Sequence, residues 1–362
     1  MERLPWPRMR IGVIAPPWTP VPPPFYGGTE LVVDLLSRGL AEQGHDVVLF
    51  TTGDSTCPVP RRWALEHAEG ERIGLGVVEA RHVLHAYDAV GDVELVHDHT
   101  IFGPMYAERI PDLPVVTTAH GPFDDDLYDL YRHAARRHTL VCVSHHQRST
   151  APDVPVARVI HHGIDASSFP VGDGAGGYAL FLGRMAPEKG PKRAIEACRK
   201  ADVPLRIVAK MREKRERAYY EAEIVPMLGD DVTYLGEVEH SEKVELLAGA
   251  MALVNPIRWP EPFGLVMTEA LACGTPVITF PEGAAPEIVE HGRTGFVCAD
   301  EAAMAECLGR VDELDRAACR AAVEGPFSAR RMVDDHVRLY ADVLAAVTAR
   351  RRDLRDEETA SS

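Results

Sequence analysis

The sequence predicts an α/β protein of two Rossmann-like domains whose parallel sheets face a central cleft. Three observations carry this. Short apolar runs alternate with stretches of helical periodicity along most of the chain, the pattern of parallel strands covered by helices on both faces. The segment Val171-Gly172-Asp173-Gly174-Ala175-Gly176-Gly177, with four glycines in seven residues, interrupts that alternation and reads as an interdomain hinge. The length, 362 residues, exceeds one ordinary domain and suits two of about 150 to 200 residues.

Taken in order, Met9 to Ala15 reads as a buried parallel strand, followed by a loop holding six prolines between Pro16 and Pro24. Thr29 is expected to cap a helix with Leu31, Val32, Leu35, Leu36 and Leu40 on its apolar face, closed by a left-handed Gly44. Asp46 to Thr52 resumes as a strand and completes a βαβ unit. Further strands are expected at 94–97, 114–119, 139–143 and 157–161. After the glycine segment, strands are expected at 178–182, 204–209, 232–235, 251–255, 276–280 and 295–297, with helices between and two more near 315–324 and 328–347. The domains then run 1–171 and 172–327. A last helix at 328–349 is positioned to cross back to the first domain, and 350–362 reads as a polar, disordered tail.

Composition narrows the function classes. Hydrophobic residues make up 46% of the chain and charged residues 26%, which is globular composition. The net charge of −16 repels phosphate backbones and anionic head groups, so a general nucleic-acid partner is not expected. No apolar run reaches the roughly 18 residues of a membrane span, and Met1 to Arg10 lacks the apolar stretch of a secretory signal. The seven cysteines (57, 142, 198, 273, 298, 307 and 319) form no Cys-x-x-Cys pair. They read as reduced, buried thiols of a cytoplasmic protein. Lysine is absent before Lys189, so a lysine-based anion site belongs to the second half.

Four segments can carry chemistry. In Trp259-Pro260-Glu261-Pro262-Phe263-Gly264-Leu265-Val266-Met267-Thr268-Glu269, the prolines and glycine delay the helix start. Glu261 therefore stands ahead of the helix and Glu269 just over a turn inside it. The free amides of Phe263, Gly264 and Leu265 suit an anion, and the carboxylates suit sugar hydroxyls. The plainer reading makes both glutamates solvated surface groups. In Phe181 to Gly190, Arg184 and Lys189 follow a strand end, where open α/β sheets bind ligands. A guanidinium fork plus an ammonium can hold a diphosphate without metal; surface salt bridging, as between Glu188 and Lys192, is the alternative. Gly27 and Gly28, between the first strand and helix, permit close backbone approach to phosphate, though such pairs also occur in plain turns. They fall short of the full glycine fingerprint of a nicotinamide dinucleotide fold. His120, after the strand Thr117-Thr118-Ala119, faces the cleft if the sheet is parallel, or is structural. His97 and His99 share a strand face, but with no third ligand evident the sequence predicts no metal site.

Together these motifs resemble the family 4 glycosyltransferases, retaining enzymes of the GT-B fold that use nucleotide sugars. The likeness spans about 9–346 and rests most on Glu261-x7-Glu269, on Gly183-Arg184 to Lys189-Gly190, and on Ala270-Leu271-Ala272-Cys273-Gly274-Thr275-Pro276-Val277. The branch resembles that of an avilamycin-pathway enzyme. The resemblance implies an acceptor-side first domain and a donor-side second domain. Gly27 and Gly28 would face the donor phosphates, and Arg184 and Lys189 would neutralise the diphosphate. Glu261 with the 263–265 amides would hold the sugar and distal phosphate. Glu269 would accept the ribose hydroxyls, and His120 would sit at the reacting face. Leu235 to Val238 would contact the base with Lys243 nearby. Two departures stand out: His162-Gly163-Ile164-Asp165 replaces an Asn-Gly pattern, and Ala209-Lys210-Met211-Arg212 replaces a Gly-x-Gly. The expected reaction moves a hexose-type sugar, from UDP by family frequency, to a hydroxyl of a small-molecule, oligosaccharide or lipid-linked acceptor. It would proceed by a same-face, metal-independent mechanism with no cofactor. A sugar-nucleotide epimerase and a non-catalytic nucleotide-sugar-binding module stay open. Residues 123–138 could form an amphipathic helix lying on a membrane, or a solvated helix with charges matched to its dipole.

Overall fold

The computed structural model describes residues 6–360. The first sheet has seven parallel strands. Edge to edge they are Arg61–Trp63, Asp46–Thr51, Arg10–Ile14, Leu95–Asp98, Val115–Ala119, Thr139–Cys142 and Val156–Val159. The second has six: Val232–Gly236, Leu205–Lys210, Ala179–Arg184, Ala252–Asn255, Val277–Thr279 and Gly295–Val297. Both start at a central strand, run outward and then return past it, which is double winding. The central strands are mostly apolar and buried along nearly all their length, as sheets covered on both faces require.

The extra edge strand, Arg61-Arg62-Trp63, escapes sequence reading because three half-exposed residues carry no apolar run. The first helix is Gly28–Glu42, capped at Gly27 with no side-chain cap. Thr29 is therefore inside the first turn and not its cap. The chain reaches the helix from the Pro22–Pro24 loop, and a Cβ on Gly27 would lie 2.7 Å from that of Pro23. Gly44 does close the helix at φ 83°, with His45 N–H donating to Leu40 O at 3.1 Å.

The glycine segment 171–177 is not a free hinge. Its amides donate to the second domain: Gly172 to Cys273 O, Gly174 to Ala248 O and Gly176 to Gly249 O, at 2.9 to 3.2 Å. A Cβ on Gly172 would lie 2.1 Å from Ala248 O. The glycines serve close backbone contact, which is the other use of a residue without a side chain.

The last helix, Ala329–Ala360, lies on the first sheet's side of the molecule. Met332, Val333, Val337, Leu339 and Tyr340 join the core formed by Ile11, Leu36 and Leu40. A Cβ on Gly39 would sit 2.5 Å from Val333, so this glycine sets how closely the two helices cross. Gln43 donates to Asp334 at 2.7 Å and Arg158 to Asp342 at 2.5 Å. The helix continues through 350–360, where the sequence suggests a disordered tail. The charged residues there prolong a helix already nucleated by packing; residues 361 and 362 lie outside the described residues. The two passages of the chain between the sheets run side by side. Ile164 N–H donates to Phe327 O at 2.9 Å and Ala329 N–H to Ile164 O at 2.8 Å. A Cβ on Gly163 would lie 2.5 Å from Ser328 O, which accounts for a glycine in the departing His162–Asp165 segment.

Candidate active site

The carboxyl ends of both sheets open onto one cavity of about 650 Å³. From the first half come the Tyr26–Thr29 loop, His120 and His162; from the second come Lys189, Lys210, Val238, Lys243, Glu261 and the Phe263–Leu265 turn. Of the twelve site residues read from sequence, eleven line this cavity. Arg184 does not. Its guanidinium bonds Glu188 at 2.9 Å and Glu216 at 3.1 Å, with Glu213 at 3.9 Å. Glu216 is almost fully buried, so this guanidinium is already caged by three carboxylates.

Lys189 is buried and ion-paired with Glu261, and its ammonium lies 4.7 Å from the Trp259 ring centre. Backbone fit sets this pair. Gly190 adopts φ 84°, and a Cβ there would lie 2.4 Å from Pro256 O. On the other side, Gly283 at φ 57° leaves no room for a Cβ, which would come 2.4 Å from Glu261 N. Ala284 N–H donates to Glu261 O at 3.0 Å. The 281–284 turn thus cradles Glu261 from behind. Its Pro-Glu-Gly signature was available in the sequence as a turn signal, but nothing local linked it to a glutamate some twenty residues earlier.

Gly264, at φ 96°, starts the helix Leu265–Ala272 without a side-chain cap. The amides of this turn stay open toward the cavity, where the helix dipole favours negative charge. Inside the helix, the buried Glu269 accepts from Lys243 Nζ at 2.6 Å. Glu237 accepts from Arg212 at 2.9 Å and from Tyr26 N–H at 3.2 Å, joining the two halves across the cavity. Glu237 and Lys210 also line the cavity; the sequence points to them through the Leu235–Val238 turn and the basic Ala209–Arg212 segment, without singling out either residue.

His120 Nε2 hydrogen-bonds His99 Nδ1 at 2.8 Å, and its ring stacks on His162 at 5.3 Å. Behind them the rings of His99, His97 and His336 continue the column, at 4.1 Å and 5.1 Å between neighbours. His97 has partners on both nitrogens, Tyr340 Oη at 2.6 Å and Thr118 Oγ1 at 2.8 Å. Burial holds all five imidazoles neutral. It takes His120 down to about 3 and His336 to about 4, and His97, His99 and His162 fall well below the ordinary value. His97 and His99 are therefore packing groups with hydrogen-bond partners. Among the described residues, one cluster has metal-ligand composition: His145, His161 and Glu287, with ligand atoms within 4.8 Å of one another. The third member comes from the second half, so sequence pairing of histidines could not find it. Glu287 is already engaged there. It accepts from the His145 and His146 amides at 3.0 and 2.7 Å, and it contacts His161 Nε2 at 2.7 Å.

The segment with the amphipathic pattern forms the helix Asp125–Ala134, capped by Asp124. Its apolar side packs inward: Leu127, Tyr128 and Tyr131 lie against Ala119, Leu140 and Val154. Of these, Tyr131 is buried, and Leu127 and Tyr128 are partly covered by the fold. No helix of the described residues is long and apolar enough to cross a membrane.

The comparisons with known proteins agree with this geometry. Residues 26–168 match the model of the family described as "Glycosyltransferase Family 4", and 173–314 match "Glycosyl transferases group 1". The chain is 27% identical over 368 residues to a glycogen synthase of Mycobacterium tuberculosis, with 86% of each chain covered. Its fold is similar to that of AviGT4, a glycosyltransferase of avilamycin A biosynthesis (TM-score 0.70, 22% identity, 93% of this chain and 98% of that one). It is also similar to that of Anabaena HepE in complex with UDP and glucose (TM-score 0.75, 18% identity, 92% of this chain and 100% of that one). With two tandem parallel sheets, a cleft between their carboxyl ends and family matches over both halves, the chain belongs to the family 4 glycosyltransferases of the GT-B fold.

Proposed function

We propose that this enzyme transfers a hexose-type sugar from a nucleoside diphosphate donor to a hydroxyl acceptor with retention of configuration and without a required metal or cofactor. The observation that carries this reading is the pairing of Lys189 with Glu261 beside the open Phe263–Leu265 amides, all on one cavity wall. A cation and helix-start amides suit the two charged ends of a diphosphate. Glu269, deeper in the helix that starts at Leu265, with Lys243 reaching it from the helix His240–Gly249, suits a ribose. UDP is the proposed carrier; HepE, a fold neighbour, is known with UDP and glucose.

In this reading the bond from the anomeric carbon to the diphosphate oxygen breaks, and its electron pair leaves with the diphosphate. The acceptor oxygen bonds to the same face of that carbon, and its proton passes to the departing phosphate oxygen. Lys189 and the amides stabilise the charge that develops on the leaving group. Glu261 stabilises the cationic sugar and is not a nucleophile. His120, neutral through burial, offers the sugar a hydrogen bond without adding charge. Gly27 and Gly28 let the first domain's backbone close on the phosphates, and the acceptor approaches from that side. Arg184 can join only if the diphosphate draws it from Glu188 and Glu216. The seven cysteines are free and buried, which supports a cytoplasmic assignment.

The test is donor turnover with UDP-, GDP-, ADP- and TDP-sugars, with and without EDTA, reading nucleoside diphosphate release and the anomeric configuration of the product. Inversion, or activity abolished by EDTA and restored by a divalent cation, refutes the mechanism. An isomerised donor formed without acceptor indicates an epimerase. Binding with no turnover or hydrolysis indicates a non-catalytic module.

A further inference from the structure

Four cationic side chains, Arg38, Lys189, Lys210 and Lys243, line the cavity. Three have a carboxylate: Arg38 has Asp34 at 2.7 Å, Lys189 has Glu261 and Lys243 has Glu269. Lys210 has no ion pair with any of the described residues. The carboxylates nearest it are occupied. Glu216 accepts from Arg184 and from the Arg212 and Glu213 amides. Glu237 accepts from Arg212 and Tyr26. Glu30, opposite, is buried and raised to about 7, burial being the first cause. What Lys210 does meet is the face of Tyr26, 5.8 Å from the ring centre, in the same loop as Gly27 and Gly28.

The strand register gives this meaning. Lys210 pairs with Arg184 across neighbouring parallel strands, so both side chains leave the sheet at the same level and on the same face. One is surrounded by three carboxylates and turned off the cavity wall; the other is half-buried, without an ion pair among the described residues, and on that wall. A cation in a partly desolvated cleft without a counter-charge costs free energy that a bound anion recovers.

We propose that Lys210 is a donor-anion ligand, which contacts the diphosphate from the side of the Tyr26–Gly28 loop and supplies the positive charge that Arg184, caged by Glu188, Glu213 and Glu216, does not bring to the cavity. This rests on the donor reading above. The experiment measures binding of UDP, GDP, ADP and TDP, and of the matching nucleosides, to wild type, Lys210→Met, Lys210→Gln and Lys210→Arg. Met and Gln both keep the stem, so at least one folded neutral variant is expected, checked by its unliganded melting midpoint. Losing one charge-assisted contact should weaken the preferred diphosphate about 10- to 100-fold in the neutral variants. The nucleoside should bind as to wild type, and Lys210→Arg should stay within a few-fold. An unchanged ratio of diphosphate to nucleoside affinity overturns the proposal, whether both are retained or both fall together. If wild type binds none of the four diphosphates, the donor reading itself fails and takes this proposal with it.

Discussion

Acidification should destabilise this protein steeply between pH 6.5 and 5.5. Burial lowers nine imidazoles, His45, His138 and His240 among them; six carry the large shifts, the column of His97, His99, His120, His162 and His336 together with His82. His82 falls to about 4, its Nε2 hydrogen-bonded to Ala15 O at 2.9 Å. Each is neutral when folded and takes a proton when unfolded, below its ordinary value of about 6.5. The stability each contributes is therefore fully present above that value and lost as the pH falls. Over the single unit from 6.5 to 5.5 the loss is about 1 kcal/mol per imidazole, so about 6 kcal/mol for the six. Three buried carboxyls oppose it, Glu79 among them, raised by burial. Glu30 is raised to about 7 and Asp98 to about 6, burial first in both. Their folded forms hold protons that the unfolded chain releases, so they return about 2 kcal/mol over the same interval.

The net loss, about 4 kcal/mol, is comparable to the whole margin of a less stable domain. For a chain of this length it should lower the melting midpoint by on the order of 5 °C. Scanning fluorimetry at pH 7.5, 6.5 and 5.5 measures it directly, and the drop should be concentrated in the last interval. His336→Gln removes one of the six and should make the slope shallower by about one proton, whatever it does to the midpoint. A midpoint that is flat from 6.5 to 5.5 would refute the claim that the histidine column is buried neutral.

Other perturbations test separate parts of the molecule. Glu261→Gln, which leaves the buried Lys189 ammonium without its carboxylate, should cut turnover about 100-fold and also lower the melting midpoint, whereas unchanged turnover would count against the role given to Glu261. Arg184→Ala distinguishes a phosphate ligand from a packing group: as a ligand it should lower turnover about 30- to 1000-fold at nearly unchanged stability, whereas a loss confined to the melting midpoint assigns it to its carboxylate cage. Gly39→Val should force apart the first and last helices at Val333 and cost about 1–3 kcal/mol, read from denaturant midpoints. If the helix Asp125–Ala134 buries its apolar face as described, liposomes with or without anionic lipid should not co-sediment with the protein; binding would restore the membrane reading.

The parts of this molecule that were legible in the sequence are those whose signal is local. Central strands such as Ile11 to Ile14 and Ala179 to Leu182 are legible because burial on both faces writes an unbroken apolar run. The helix start at Gly264 is legible because Pro260, Pro262 and the glycine itself forbid an earlier one. What was illegible depends on who approaches whom. Gly172, Gly174 and Gly176 look like a flexible linker until the backbone of 248–249 is seen against them. Thr29 has the chemistry of a cap, but the proline loop delivers the chain into the helix two residues too early to use it, with Gly27 at the cap. His145, His161 and Glu287 converge only because two domains meet. Glycine in particular carries two opposite meanings, freedom and close contact, which composition alone does not separate.

Arg184 shows why a site motif fixes identity before it fixes state. The Gly183-Arg184 to Lys189-Gly190 spacing places both cations beyond one strand end, and Lys189 does line the cavity. Yet a guanidinium is a five-donor fork that bonds whatever carboxylates lie nearest, and this chain supplies Glu188, Glu213 and Glu216. Glu188 lies in Arg184's own loop, whereas Glu213 and Glu216 belong to the stretch after Leu205–Lys210, the strand that puts Lys210 into the cavity. The two features are complementary: acids that hold one cation off the cavity wall, and a second cation on the neighbouring strand at the same level. If that is right, the double variant Arg184→Gln with Lys210→Met should lose diphosphate affinity no more than Lys210→Met alone. A further loss in the double variant would mean that the donor pulls Arg184 out of its cage, and that both cations grip the leaving group together.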